Sequence, residues 1–595
     1  MNKDGAKHRI NKFSNFSSNK KKKIIIIAII AIIAISVIGL GFNDYISNSN
    51  LSISNNTATN NNREGNTVVP NIDNSIASNS IDTVGNETKI SAQDKRFFCG
   101  NQTQGPSPFV NEFGFPIPCA QPLGLAVDKN NDIWIASGKT GNLFVFDSKS
   151  NTFNKTIPIP NWPIDKQGQI GTMIWDLKFD KNGDLWFTDQ RSNSIWKYFT
   201  QEGRFENYKL LQDGGYPLSV AFDSSGKVWF TQVFGKRLGL IDPSLVESNT
   251  TKGVSELDFL NQIQFVTMGP LSNGFIHNNS LQNNNSNNQS ETLWFSTVSY
   301  PIGGQLIKYD IGQQQLSIHD LTYLHSVPIG ISEDENGNVW VNDHDSSIFM
   351  MLDPDTGDIK QFATSNSSTA SKSTLPYYNE YINGKLWLNE HYGNSIAYYD
   401  KENKTLVEFI VPSINPLWGN GSNPLRFTVD NNGSVWFTEW TENKLGVIPK
   451  EKIEQLPISV STSKDKIIID SVNNIGDSVE VYVKKNDNSS NSLNNPSENN
   501  TEFDKPANIT MYATSSKSRD GELSNLTSNF SIKSFTMNNS ASNVEPNTEN
   551  STQTFKTTLE ISPDKGLESG NHTLTISARY NNDLTVSKII DMEIR

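Results

Sequence analysis

Charge, thiol and imidazole are all scarce in this chain. Of 595 residues 19% are Asp, Glu, Lys or Arg, with two cysteines and seven histidines. No Cys/His zinc spacing can be drawn from so few ligands. A Gly-rich phosphate loop and a Ser nucleophile elbow are lacking too. The formal net charge is −13, although the first 23 residues hold eight Lys/Arg against a single Asp4. Everything after them is therefore more acidic than the whole, which excludes nucleic acid as a partner. Long apolar runs are lacking except for one, the nineteen uncharged residues Ile24 to Phe42. At about 1.5 Å per residue that run can cross a hydrocarbon layer. Lys20 to Lys23 precede it and no small-x-small cleavage site follows. The pattern predicts an uncleaved signal anchor with a cytoplasmic N-terminus and the bulk of the chain extracellular.

Tryptophan, by contrast, is placed with regularity. Trp134, Trp186, Trp229, Trp294, Trp340, Trp387 and Trp436 are separated by 52, 43, 65, 46, 47 and 49 residues. The long interval holds Asn273 to Glu291, a stretch of Asn, Ser and Gln that no core would accept. A period of about 45 residues is that of propeller blades. Each unit has an apolar strand ending in a polar residue, a Gly/Asn turn, a strand around the tryptophan, and a third strand. Val127-Asp128 to Trp134, Phe179-Asp180 to Trp186, Phe222-Asp223 to Trp229 and Val429-Asp430 to Trp436 repeat the first half closely. Their turns are rich in Gly and Asn, which tolerate positive φ. Thr405 to Phe409 exemplifies a fourth strand. Four short antiparallel strands repeated radially predict a ring with its core between neighbouring blades. The sequence offers two segments to close it, Phe109 to Pro116 and Ile453 to Pro457.

Around the ring the predicted order is a basic cytoplasmic segment (1–23), the transmembrane anchor (24–42), a polar tether (43–95), the propeller (96–455) and a C-terminal domain (456–595). The tether is Asn-, Ser- and Thr-rich with few large apolar groups. In the C-terminal part tryptophan stops while alternation continues, as in Val479-Glu480-Val481-Tyr482-Val483 and Leu574-Thr575-Ile576-Ser577-Ala578, which predicts an Ig-like β-sandwich. The fold class is thus all-β: a seven-bladed propeller followed by a sandwich, with an N-terminal transmembrane helix. In an extracellular compartment Cys99 and Cys119 are expected to pair. Sequons such as Asn86-Glu-Thr and Asn420-Gly-Ser suit a glycosylated surface.

The unit Pro-x-Gly-Ile/Leu, then Val-Trp-Phe-Thr-Glu, then Asn-Lys-Leu-Gly-x-Ile resembles the streptogramin B lyases. It stands here as Pro122-Leu123-Gly124-Leu125, Pro328-Ile329-Gly330-Ile331, Val435-Trp436-Phe437-Thr438-Glu439 and Asn443-Lys444-Leu445-Gly446-Val447-Ile448. The resemblance covers about Phe109 to Ile448. It implies a seven-bladed propeller with a site at one mouth, where a magnesium ion and a histidine base open a cyclic ester by elimination. In that family the histidine occupies the x of Pro-x-Gly, eleven residues before the blade tryptophan. Those places here hold Leu123, Trp175, Leu218, Ile329 and Leu425, none of them able to accept a proton. In the sixth blade Tyr378, Asn379 and Glu380 fall near that place only loosely.

The family's metal-binding glutamate stands three residues after the tryptophan. The corresponding residues are Ser137, Asp189, Gln232, Thr297, Asp343, Glu390 and Glu439. Carboxylates gathered at a mouth repel unless solvated, protonated or bridged by a hard cation, so Asp189, Asp343, Glu390 and Glu439 are the candidate ligands for Mg²⁺ or Ca²⁺. The alternative is that they are ordinary solvated loop residues. His344 follows Asp343 and His391 follows Glu390, which makes these two the candidate catalytic bases. Trp175, Trp418 and Trp440 fall near loop ends and are candidates to line a ligand pocket; the blade tryptophans are core. The expected function is a membrane-anchored extracellular module binding a ligand, glycan or surface protein. A metal-dependent lyase and a lactone hydrolase are the alternatives.

Overall fold

The computed structural model describes residues 98–100, 102–103, 106–162, 173–190, 192–258, 267–271, 277–278, 291–298, 303–321, 326–365, 373–486, 509–516, 535–536, 554–561 and 569–595. The expected anchor at Ile24 to Phe42, the basic segment and the tether lie outside them. Among the described residues no helix is long and apolar enough to cross a membrane.

Among the described residues seven antiparallel sheets, each built on four strands, follow one another; sheet four carries an additional short strand and sheet six continues into the C-terminal region. Their first strands are Pro122–Val127, Leu177–Phe179, Pro217–Phe222, Thr267–Leu271, Pro328–Glu333, Pro376–Ile382 and Pro424–Val429. Each sheet packs on the next, and the first strand of sheet one packs on sheet seven, so the circle is closed. The core lies between sheets, as radial packing requires. Trp134, Leu143 and Val145 of sheet one meet Leu185, Phe187 and Trp196 of sheet two. Trp436 of sheet seven meets Phe144 and Phe146 of sheet one. Second strands such as Leu185–Asp189 and Val435–Glu439 are buried throughout, whereas the outer strand Thr152–Pro158 is mostly exposed.

Closure uses the first of the two candidate segments. Asn111–Gly114 pairs with Lys444–Ile448 in the register Asn111↔Val447 to Gly114↔Lys444 and supplies the fourth strand of sheet seven. Glu112 fixes it by accepting from Ser413 N at 3.0 Å and from Lys444 Nζ at 2.8 Å. The rival stretch begins in a short helix, Lys450–Glu454. Cys99 and Cys119 form a disulfide beside this junction.

The turn aspartates explain why the repeat is so legible. In five sheets one carboxylate oxygen accepts backbone N–H groups two or four residues on, and the other accepts the blade tryptophan's indole N–H. The pairs are Asp128–Trp134 (3.1 Å), Asp180–Trp186 (2.9 Å), Asp223–Trp229 (3.0 Å), Asp334–Trp340 (3.1 Å) and Asp430–Trp436 (2.9 Å). An Asx turn and a buried indole are thus satisfied by one side chain. The glycine of Asn-Lys-Leu-Gly has an equally direct cause: a Cβ on Gly446 would lie 2.1 Å from Phe437 Cζ.

Among the described residues the C-terminal region contributes to two sheets. Ile458–Thr462, Asp477–Lys485 and Thr554–Ile561 make one. The other contains Gly570–Tyr580 and Leu584–Ile594 and does not stand apart from the ring. Leu584–Ile594 pairs antiparallel with Thr405–Ile410, the outer strand of sheet six, from Thr405↔Lys588 to Phe409↔Leu584. That outer strand is accordingly buried along most of its length, unlike its counterparts. Thr575 Oγ1 donates to Ala363 O at 2.7 Å, and Lys360 and Lys404 both pair with Asp591, so sheet five is joined as well.

Candidate functional site

The seven residues that stand three after the tryptophans each sit at or next to the end of their sheet's second strand, and all are buried, none more than 2% exposed. They are buried strand-end residues rather than solvated loop residues, and several bond to the turn or strand beside them. Asp189 accepts from Ser192 N at 3.1 Å and Trp196 Nε1 at 3.1 Å. Asp343 accepts from Val327 N at 2.8 Å and Ser346 Oγ at 2.6 Å. Glu390 is bonded by Ser395 Oγ; burial, and then the Glu408 carboxyl, hold its pKa well above the usual carboxylate range. Burial does the same to Glu439, with Glu112 adding to it. Among the described residues no three His, Cys, Asp or Glu side chains are grouped to hold a metal ion.

The two histidines do come together. Backbone bonds from His344 N to Val327 O (2.8 Å) and from His391 N to Leu375 O (3.1 Å) hold each beside the start of its sheet's first strand. The rings stack at 5.3 Å with 9° between their planes. Tyr377 meets His344 edge-on at 4.9 Å, and Trp175 packs on Tyr377 from sheet two at 6.0 Å. Burial, and then the neighbouring His344, push the His391 imidazole well below its ordinary pKa, so it is neutral at pH 7.

Tyr377 is the residue that sequence reasoning missed. In sheet one Pro122 pairs with Ser137 and Leu125 with Ile135, with an irregularity between them. In sheet six Pro376 pairs with Glu390 and Asn379 with Leu388 in the same way, which makes Tyr377 the counterpart of Leu123. One residue fewer in the turn shifted the count, and Pro376 was the available signal. Sheet four pairs Met268 with Thr297 and Leu271 with Phe295, which places Gly269 there. The complete set is Leu123, Trp175, Leu218, Gly269, Ile329, Tyr377 and Leu425, with no histidine.

The three proposed pocket tryptophans divide. Trp418, in the short helical turn Pro416–Trp418, meets Trp440 at 5.3 Å, and Phe98 covers both at 5.8 and 5.1 Å. Trp175 packs on Tyr377 in the histidine–tyrosine cluster and also lines a cavity within the ring.

A cavity of about 200 Å³ opens within the ring, walled by the first strands of sheets one, two, three, six and seven. Asp176, Lys178, Glu380 and Arg426 face it together with Tyr378. Asp176 and Lys178 pair at 3.2 Å, and Val220 satisfies both, its N–H donating to Asp176 Oδ2 (2.8 Å) and its carbonyl accepting from Lys178 Nζ (2.7 Å). Arg426, 5% exposed, lies over the Tyr378 ring with Cζ 4.5 Å from the centroid. Burial pushes the Glu380 carboxyl up to about 7, with Asp176 raising it and Lys178 opposing.

The closed circle of sheets makes the chain a β-propeller protein. No family model and no curated protein matches the sequence. Among solved structures it is similar to a streptogramin B lyase (21% identity, TM-score 0.44, 57% of this chain and 96% of that one). It is also similar to virginiamycin B lyase from Staphylococcus aureus (18%, TM-score 0.44, 57% and 98%). A third likeness is the extracellular domain of a one-component system from B. thetaiotaomicron (13%, TM-score 0.40, 80% and 57%). At these identities and scores no activity transfers, and the propeller assignment rests on the strand pairings.

Proposed function

We propose that this protein is a ligand-binding propeller, tethered outside the cell by the apolar run Ile24 to Phe42 and carrying an Ig-like C-terminal unit welded to blade six. The observation that carries the reading is the ring interior. Its seven places equivalent to Leu123 hold apolar or aromatic side chains and glycine, and Trp175, one of them, also lines a charged cavity. A concave site with a few convergent polar groups is what small-ligand recognition uses. The test is saturation-transfer NMR of the full chain in detergent against a library of small polar molecules. Hits that weaken in Arg426→Lys support the reading, and a library without such hits removes it.

A second reading, elimination on a cyclic ester, is favoured by one observation, the stacked His344–His391 pair. A buried imidazole with a depressed pKa is a weaker base than a free one, which counts against it. Mass spectrometry after incubation with a cyclic depsipeptide, with and without Mg²⁺, decides. Ring-opened product that vanishes in His391→Ala would establish catalysis and displace the binding reading.

A further inference from the structure

We infer that the ring cavity is a site for a small zwitterion of the amino-acid class, its carboxylate on Arg426 and its ammonium group on Glu380. The inference rests on the binding reading above and gives it a ligand chemistry.

The cavity holds two cations and two anions, but they are not equivalent. Asp176 and Lys178 pair with one another and each also bonds to the Val220 backbone. Arg426 and Glu380 remain, on the first strands of adjacent sheets. Among the described residues they form no ion pair, with each other or with any other side chain. Register explains why. Arg426 pairs with Thr438, two residues beyond the blade tryptophan, and Glu380 with the blade tryptophan Trp387 itself, so the two stand two residues apart in register. The guanidinium is instead drawn over the Tyr378 ring.

Arg426 Nε is buried without a hydrogen-bond partner. A charged donor left in this state is unfavourable, and its best complement is a carboxylate, which can accept two parallel N–H bonds. A simple anion would leave Glu380 unanswered; a simple cation would leave Arg426 so. One molecule bearing both charges answers each while keeping the cavity neutral. Size narrows the choice further. About 200 Å³ is below the roughly 300–1,000 Å³ of sites for drug-sized ligands, so the occupant has few heavy atoms. On sheet one the small Ala126 lines the cavity at the place that Lys178 takes in sheet two.

The experiment is calorimetric titration of the full chain at pH 8 with glycine, β-alanine and 4-aminobutyrate, and separately with acetate and methylammonium. At least one amino acid is expected to bind ten times more tightly than either single ion. Glu380→Gln and Arg426→Lys should each weaken it tenfold or more, with melting curves showing that both variants fold. Acetate binding as tightly as the amino acids, or an affinity untouched by Glu380→Gln, would overturn the assignment in favour of a plain anion site. Heat from none of the probes overturns it as well. If a variant fails to fold, the comparison of amino acids with single ions on the unaltered chain still decides. The binding reading itself falls only if the NMR library also yields no ring-dependent hit.

Discussion

Replacing Asp223 by Ala isolates the device on which the repeat depends. Its Oδ1 accepts from Lys227 N at 2.9 Å and Ser225 Oγ at 2.7 Å, while Oδ2 accepts from Trp229 Nε1 at 3.0 Å. Aspartate and tryptophan are 6% and 4% exposed, so water cannot replace the lost partner. An indole N–H left buried and unpaired costs about 1–3 kcal/mol, and the charged bonds to the turn add to it, so a loss of about 3 kcal/mol is expected. Trp229→Phe removes the donor but leaves Oδ2 without its partner and should cost about as much. The double variant should then be less damaged than the sum, with a coupling of about 1 kcal/mol or more. Urea unfolding of the full chain, followed by far-ultraviolet circular dichroism, measures all three. A loss below about 0.5 kcal/mol for Asp223→Ala, the range of ordinary surface substitutions, or additive single effects, would mean that the aspartate is a solvated turn residue.

Glu380→Gln is expected to stabilise the protein at pH 8 and not at pH 4.5. A carboxyl raised from 4.5 to about 7 by folding contributes stability below its unfolded pKa and loses it as pH rises through 7. The gain at pH 8 should be about 1–3 kcal/mol, and a difference between variant and wild type that is flat from pH 5 to 8 refutes it. Phe113→Asp places a carboxylate against Phe146 (4.9 Å) and Trp436 (6.3 Å) at the closing strand. It should lower the melting temperature by several degrees, while Ile468→Asp, at a site 38% exposed, should leave it nearly unchanged; equal effects would deny the strand its closing role. Cys99→Ser should destabilise by about 3 kcal/mol, as expected for a cross-link spanning 20 residues, and wild type in reductant should behave alike. A melting curve indifferent to both treatments would show that the bond is not closed.

Much of the ring could be read directly because its determinants are local. The Asp-x-x-Gly turn, the tryptophan six residues after the aspartate and the alternation of the strands lie within one hairpin. The same motif therefore announces itself wherever the aspartate is kept. Sheets four and six departed from the count where a long polar insertion or a turn one residue shorter replaced that hairpin, and there Gly269 and Tyr377 went unplaced. Asp189, Asp343, Glu390 and Glu439 are legible in the sequence as residues at strand ends, but their burial is not. Their type and spacing do not say whether a carboxylate at a strand end faces the axis or folds back on its own turn.

By itself the sequence determined the all-β character, the sevenfold repeat, the strand order within each sheet and the segment from which a closing strand could come. Only the tertiary structure decided that Asn111–Gly114 closes the ring. It alone joined Leu584–Ile594 to blade six, stacked His344 on His391 and left Arg426 and Glu380 facing one cavity. The division follows from range. A turn or a strand is fixed by neighbours a few residues apart, whereas a shared edge or an axial cavity exists only after every blade has been wound into one circle.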